Sequence, residues 1–364
     1  MRLKDFWLKR IDWYIIKKFL GTFVFAITMM IAITVVFDFN EKLDHFMKPE
    51  VTVPEIIFDY YLNFIPYFIN LFSPLFTFIT VILFTSKIAD QSEVIAMLSS
   101  GISFNRFVVP YLISATIIAL ASFMLSAYII PPANVTRIEF QNTYIKNKKV
   151  EYARNIQLEV EPGVFAYFDS YNAPSSMGYR FSLDHFEDKK LVSRLTAQSI
   201  KYDSLHQWTI IDYMIRDFDG MREHISTGTR KDTTLAFTPS DFLIAVNDSE
   251  TMTTPELRAH IDRQKKRGMA NIQLFEIEYH MRFANIASFF ILTLIGVSLS
   301  SRKIKGGMGM NIGIGLGLSF SYILFTKITS TFAISGLVSP MVAVWIPNIV
   351  YSFITIYVYR KAPR

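Results

Sequence analysis

The residue types that carry enzymatic chemistry are present in this chain but scattered. Its six histidines stand at 45, 185, 206, 224, 260 and 280, and none has a metal-ligand spacing such as HExxH. There is no cysteine, which excludes thiolate metal sites, Cys nucleophiles and disulfide scaffolds. No glycine is followed by lysine, so there is no Walker A loop, and no GxSxG occurs. One ionisable cluster remains, Asp38, Glu41, Asp44 and His45. Clustered carboxylates beside a histidine suit acid–base chemistry. The same stretch, 38–59, holds six acids and two bases, which equally suits the acidic outer side of a membrane topology.

The elements around that cluster decide how it is read. With 51% hydrophobic and 19% charged residues, the 364-residue chain is too apolar for an ordinary soluble protein. It is also too charged to consist only of membrane spans. Aromatics at 15% suit lipid-facing helices and interface belts. Phe19 to Phe37 is uncharged over 19 residues, enough to cross the hydrocarbon core. Six basic residues precede it, as in a signal peptide, but the run is too long and no small-x-small cleavage site follows. Residues 60–86 and 107–132 give a second and third span; 283–301, 308–326 and 340–359 give three more. The chain therefore divides into a first membrane half (1–132), a polar block (133–282) and a second membrane half (283–364).

Charge orients the spans. With the N-terminus inside, segments 1–18, 87–106, 302–307 and 360–364 carry fourteen Lys/Arg against four Asp/Glu. The remainder carries 23 against 27, so the whole positive excess lies on one side. The expectation is cytoplasmic termini and an external block. The net charge of +6 thus marks topology, and nucleic acid is not an expected partner.

In the polar block the hydrophobic period shortens to two. Ile156, Leu158 and Val160 alternate with Gln157 and Glu159. Tyr179, Phe181 and Leu183 alternate with Arg180, Ser182 and Asp184, and Ile211, Tyr213 and Ile215 form a third set. With turn signals at Pro162-Gly163 and Asp219-Gly220, this pattern predicts an all-β antiparallel sandwich or jelly roll. Its apolar faces either line a lipid groove or close on a core; both remain open. Thr254-Pro255-Glu256 then opens a helix, capped by Thr and running past Lys265, Lys266 and Arg267 to Gly268. Gly309, Gly313 and Gly317 recur every four residues in the fifth span, the pattern of a helix-packing or sliding-gate face rather than a nucleotide loop.

Between spans two and three, about 90–102, Ser92 and Glu93 start a short amphipathic helix. Its apolar side is Val94, Met97 and Leu98, and Gly101 ends it. Such a helix docks on another protein or lies on lipid headgroups.

Here the sequence resembles the LptF/LptG permease family, the membrane half of the lipopolysaccharide exporter. Ser92-Glu93-Val94-Ile95-Ala96-Met97 with Ser100-Gly101-Ile102-Ser103 is similar to the family's coupling-helix motif. Phe237-Thr238-Pro239, Met252-Thr253 with Glu256-Leu257, Trp345-Ile346-Pro347-Asn348 and the order of spans are also similar. The resemblance implies an inner-membrane ABC transporter permease, heterodimeric with a paralogous permease and seated on a cytoplasmic ATPase dimer. That dimer binds the ATP, and no cofactor is expected in this chain. Spans one, two and five would enclose lipopolysaccharide, and the periplasmic jelly roll would pass it to jelly-roll bridge proteins. Some members carry a lysine at the outer end of span one for lipid phosphates, where this chain has Asp38. Lys327, Arg137 and Arg282, at outer span ends, are the cations expected to contact lipid, or else they snorkel to the interface. Two other functions compete: a membrane enzyme modifying lipid-linked sugars through the 38–45 cluster, and a force-transmitting permease, for which a strand-lined groove has no use.

Overall fold

The computed structural model describes residues 9–145, 152–188, 190–204, 206–220, 222–239, 242, 248–266, 272–301 and 307–362. The apolar runs become helices longer than themselves. Helix α1 is Arg10–Phe46, α2 Val53–Asp90, α3 Glu93–Ser99 and α4 Phe104–Ile145. After the strands come α5 Thr254–Lys266, α6 Gln273–Ser300, α7 Gly307–Ile334 and α8 Pro340–Arg360. Among the described residues, six of these are long and apolar enough to cross a membrane. At 37 residues α1 is about 55 Å long, well beyond a hydrocarbon core of about 30 Å. A proline pair marks one irregular turn. Pro131 and Pro132 have no N–H to return to the preceding turn, and the helix widens into a π-turn at Leu125–Ile129 just before them.

The chain forms two compact units, Met1–Ile145 with Glu276–Arg364, and Lys146–Phe275. The expected polar block of 133–282 is wider than the second unit because α4 does not stop where its apolar run stops. Asn134, Arg137 and Phe140 are buried on it, with Phe140 packed 5.3 Å from the Tyr60 ring. In the helical unit one core joins Ile15 and Phe19 of α1, Ile88 of α2, Phe107 and Tyr111 of α4, and Phe289 of α6. Burial is uneven. In α6, 56% of the apolar window is covered, against 22% in α1 and α7, which therefore keep open faces.

The second unit holds six antiparallel strands: β1 Tyr152–Glu161, β2 Val164–Asn172, β3 Met177–Glu187, β4 Lys190–Ser204, β5 Gln207–Asp219 and β6 Arg222–Thr234. Spatial order follows chain order, so the described strands form one meander with no Greek-key crossover. One apolar row, Leu158–Ala166–Leu183–Leu195–Ile215, crosses five strands in register. Phe237 and Phe242 close the core over Phe168, and Trp208 is fully buried, its indole Nε1 donating to the Phe237 carbonyl at 3.1 Å. Toward Leu183, Tyr213 and Ile215 the same face is only half covered, and β6 is exposed almost throughout. Both sequence alternatives are thus realised, a closed core at one end and an open apolar face at the other. The simple alternation at Tyr179 fails, however. Arg180 adopts φ +51° and turns the strand, so Gly178 and Phe181 face the core while Tyr179 is 41% exposed.

Helix α5 begins one residue away from the expected cap. Thr253, not Thr254, occupies that place. Its N–H and hydroxyl donate to Glu256 Oε2 at 2.9 and 2.6 Å. Those bonds hold the Glu256 carboxyl below its ordinary value. The expected C-terminal signal, Arg267 and Gly268, lies outside the described residues, as do Arg302, Lys303 and Lys305.

Candidate functional site

Helix α3 forms as its sequence dictates, with one exception at its start. Ser92 has φ +62° and makes no side-chain cap, so the turn after α2 is closed by backbone geometry. Gly101 ends the segment at φ +89°, a conformation that only glycine adopts without strain. Val94 is buried, and Met97 and Leu98 pack against the core that contains Ile15, Phe19 and Phe104. The apolar side of α3 is therefore spent on its own chain. What faces outward is Ser92, Ile95, Ala96 and Ser99, with Ile95 54% exposed. Glu93 does not point freely out; its Oε2 accepts the Tyr14 hydroxyl of α1 at 3.2 Å.

The three cations sort into two kinds. Arg137 is buried, donates from Nε to Asn134 Oδ1 at 3.1 Å, and lies 4.4 Å from the centre of the Tyr67 ring. The Arg282 side chain is 2% exposed and donates from Nε to Glu278 Oε1 at 3.0 Å. Lys327 is exposed and makes no ion pair among the described residues.

Asp38 is not a free acid. It pairs with Lys42 one turn along α1, and the hydroxyls of Tyr60 and Tyr61 donate to its two oxygens at 3.1 and 3.3 Å. Lys42 also lies 4.9 Å from the centre of the Tyr60 ring. Glu41 and Asp44 are exposed, and no group of three His, Asp or Glu among the described residues can hold a metal. An acid–base site at 38–45 has lost its central carboxylate to a salt bridge.

Gly309, Gly313 and Gly317 face open space within this chain. The glycines at close approaches are others. A Cβ on Gly296 would lie 2.7 Å from Val81, and one on Gly315 would meet the flexible tip of Ile82. Sequence reasoning also missed Asn348, inside the Trp345-Ile346-Pro347-Asn348 motif. It is buried, accepts the Tyr322 hydroxyl at 2.9 Å and donates to the Ala284 carbonyl at 2.9 Å, so one side chain ties α6, α7 and α8. A polar amide within an apolar span was the available signal. Asp12 and Arg106, which form an ion pair across 94 residues of sequence, gave none.

The membrane-length helices, two of them open-faced, with a partly open β meander between the third and the fourth in sequence among the described residues, define a polytopic membrane protein with an inserted β domain. The chain belongs to the lipopolysaccharide export system permease family LptF/LptG, which it matches over residues 13–361. This is a family of transport permeases, and the chain is a multi-pass membrane protein of lipopolysaccharide export. No curated protein matches it.

Proposed function

We propose that this chain is a permease subunit of an ABC transporter that extracts lipopolysaccharide from the outer leaflet of the inner membrane. Both termini and α3 are cytoplasmic, and the β unit is periplasmic, where it hands lipid to a jelly-roll bridge. A paralogous permease completes the cavity, and a separate ATPase dimer supplies the work. The observation that carries this reading is α3. It is a short helix rooted by Val94, Met97 and Leu98 in the chain's own core, with a small, mixed outward face left for a partner. A rooted helix transmits force; one merely lying on headgroups would direct those apolar residues into lipid.

The open faces of α1 and α7 support a lipid-lined cavity shared with the second permease, and Gly309, Gly313 and Gly317 form the part of α7 that a second helix could approach most closely. Lys327 is the cation free to meet a lipid phosphate. Arg137 and Arg282 would first have to leave Asn134 and Glu278, and in this reading they hold helix ends in place. The half-covered end of the sheet, around Leu183 and Ile215, is the surface suited to acyl chains.

The test is at α3. In Glu93→Ala and Ile95→Arg the permease is expected to insert at normal levels while the copurifying ATPase and lipid transport fall together. Normal transport by both variants would move the dock elsewhere on the cytoplasmic side. Orientation is checked separately in this Cys-free chain by Ser193→Cys, on β4, which should label only from the periplasm.

A further inference from the structure

A second set of contacts joins the α3 segment to α1. Asp12, 4% exposed in the first turn of α1, receives the Arg106 guanidinium end-on, through its two terminal nitrogens. Nη1 donates to Oδ1 at 2.8 Å and Nη2 to Oδ2 at 2.5 Å. Oδ2 also accepts the backbone N–H of Lys9 at 2.6 Å, which fixes the carboxylate against its own helix start. Arg106 sits in the first turn of α4, and its backbone N–H is capped by Ser103. Two residues beyond Asp12, Tyr14 donates to Glu93 at the first residue of α3. Helix α1 is therefore fastened at two points, to the first residue of α3 at Glu93 and to the first turn of α4 at Arg106, which follows α3 through the short turn 100–103. A two-point attachment transmits rotation as well as translation. Beyond this inner end α1 is the most weakly held span together with α7, with Phe25 and Phe37 65% and 72% exposed.

We propose that the Asp12–Arg106 pair, with Tyr14 on Glu93 beside it, is the fastening through which displacement of α3 becomes displacement of α1. Asp12 and Arg106 are then positioning residues for export. The bidentate fork matters because it fixes direction, which a single charge contact does not. The inference rests on α3 being the ATPase dock.

The experiment uses the full permease–ATPase complex in nanodiscs, with spin labels at Phe25→Cys on α1 and Ile117→Cys on α4. The distance between them is measured without nucleotide and with ATP and vanadate. In the otherwise unaltered chain the distance changes with nucleotide. Arg106→Gln is expected to keep the ATPase subunit, lose that change, and release lipopolysaccharide about tenfold more slowly per ATP hydrolysed. Arg106→Lys, which keeps the charge but not the fork, should fall between. A full distance change and normal release in Arg106→Gln would overturn the proposal. So would loss of the ATPase subunit, since the pair would then serve docking. If Arg106→Gln does not insert, Arg106→Lys decides, and an unchanged ratio of release to hydrolysis refutes the relay. Retention of the ATPase by Ile95→Arg would remove the dock and the relay together, a result distinct from an intact dock with an unmoved α1.

Discussion

Helices α1 and α6 are both apolar and both long enough to span a bilayer, yet the fold uses them in opposite ways. Over half of the α6 window is buried, and its Gly296 lies under Val81 and Phe78 of α2, closer than a side chain would allow. Helix α1 is 22% buried, its Gly21 faces empty space, and its polar fastenings are concentrated at its ends. Asp12 and Tyr14 hold one end, and Asp38 with Lys42, Tyr60 and Tyr61 holds the other. Hydropathy cannot separate the two, because lipid and protein interior are equally apolar. What separates them is close packing against fixed end contacts, the difference between a pillar and an arm.

The largest expected effect breaks this contrast directly. Gly296→Leu should overpack the α2–α6 contact by about 3 kcal/mol, sharply reducing the folded protein recovered from detergent. Gly21→Leu should leave recovery unchanged. Equal loss in both would mean that α1 is packed in the cell against something permanent.

Next comes the amide that holds the pillar to its neighbours. Asn348→Leu removes the bonds to Tyr322 and Ala284 and should lower unfolding stability by about 1–2 kcal/mol, read by steric trapping or graded SDS. In the β unit, Trp208→Phe strips the Phe237 carbonyl of its indole donor. The cost is about 1 kcal/mol for the bond, plus lost packing, measurable as a lower thermal midpoint.

The smallest effect is in acid. Glu256 is held below its ordinary value by Thr253, so the contribution of this cap is present above the unfolded carboxyl value. It is lost as pH falls through the lower folded one. Glu256→Gln should therefore flatten the acid limb of the α5 stability profile, lowering stability slightly at neutral pH and leaving it unchanged in acid. A steeper acid limb in the variant would contradict the cap.

Much of this was legible in the sequence, because the governing signals are local. Uncharged runs gave the spans, period two gave the strands, and the 92–101 segment gave α3 with its inner face and glycine stop. The rest depended on pairings that spacing does not encode. Asp38 reads from sequence as an unpaired acid, yet Lys42 one turn on neutralises it. The four-residue glycine repeat drew attention to Gly309, Gly313 and Gly317, while the close approaches to α2 fall to Gly296, which stands alone in its helix, and to Gly315, which lies between members of the repeat. Arg180 shows the same limit in a strand, since a single positive φ turns Tyr179 out and Gly178 in, while Phe181 stays in the core. Val94, Met97 and Leu98 form an apolar stripe from sequence alone, but only the packed structure shows that the stripe belongs to this chain and leaves Ile95 outward.

The central claim is that this permease exports lipopolysaccharide with work delivered through α3. Its most direct test is release of lipopolysaccharide from proteoliposomes containing the chain, its permease partner and the ATPase, with ATP inside the assay and a periplasmic acceptor outside. The account predicts ATP-dependent transfer that Ile95→Arg abolishes while the permease remains inserted. Transfer that proceeds equally with Ile95→Arg, or without the ATPase, would contradict it.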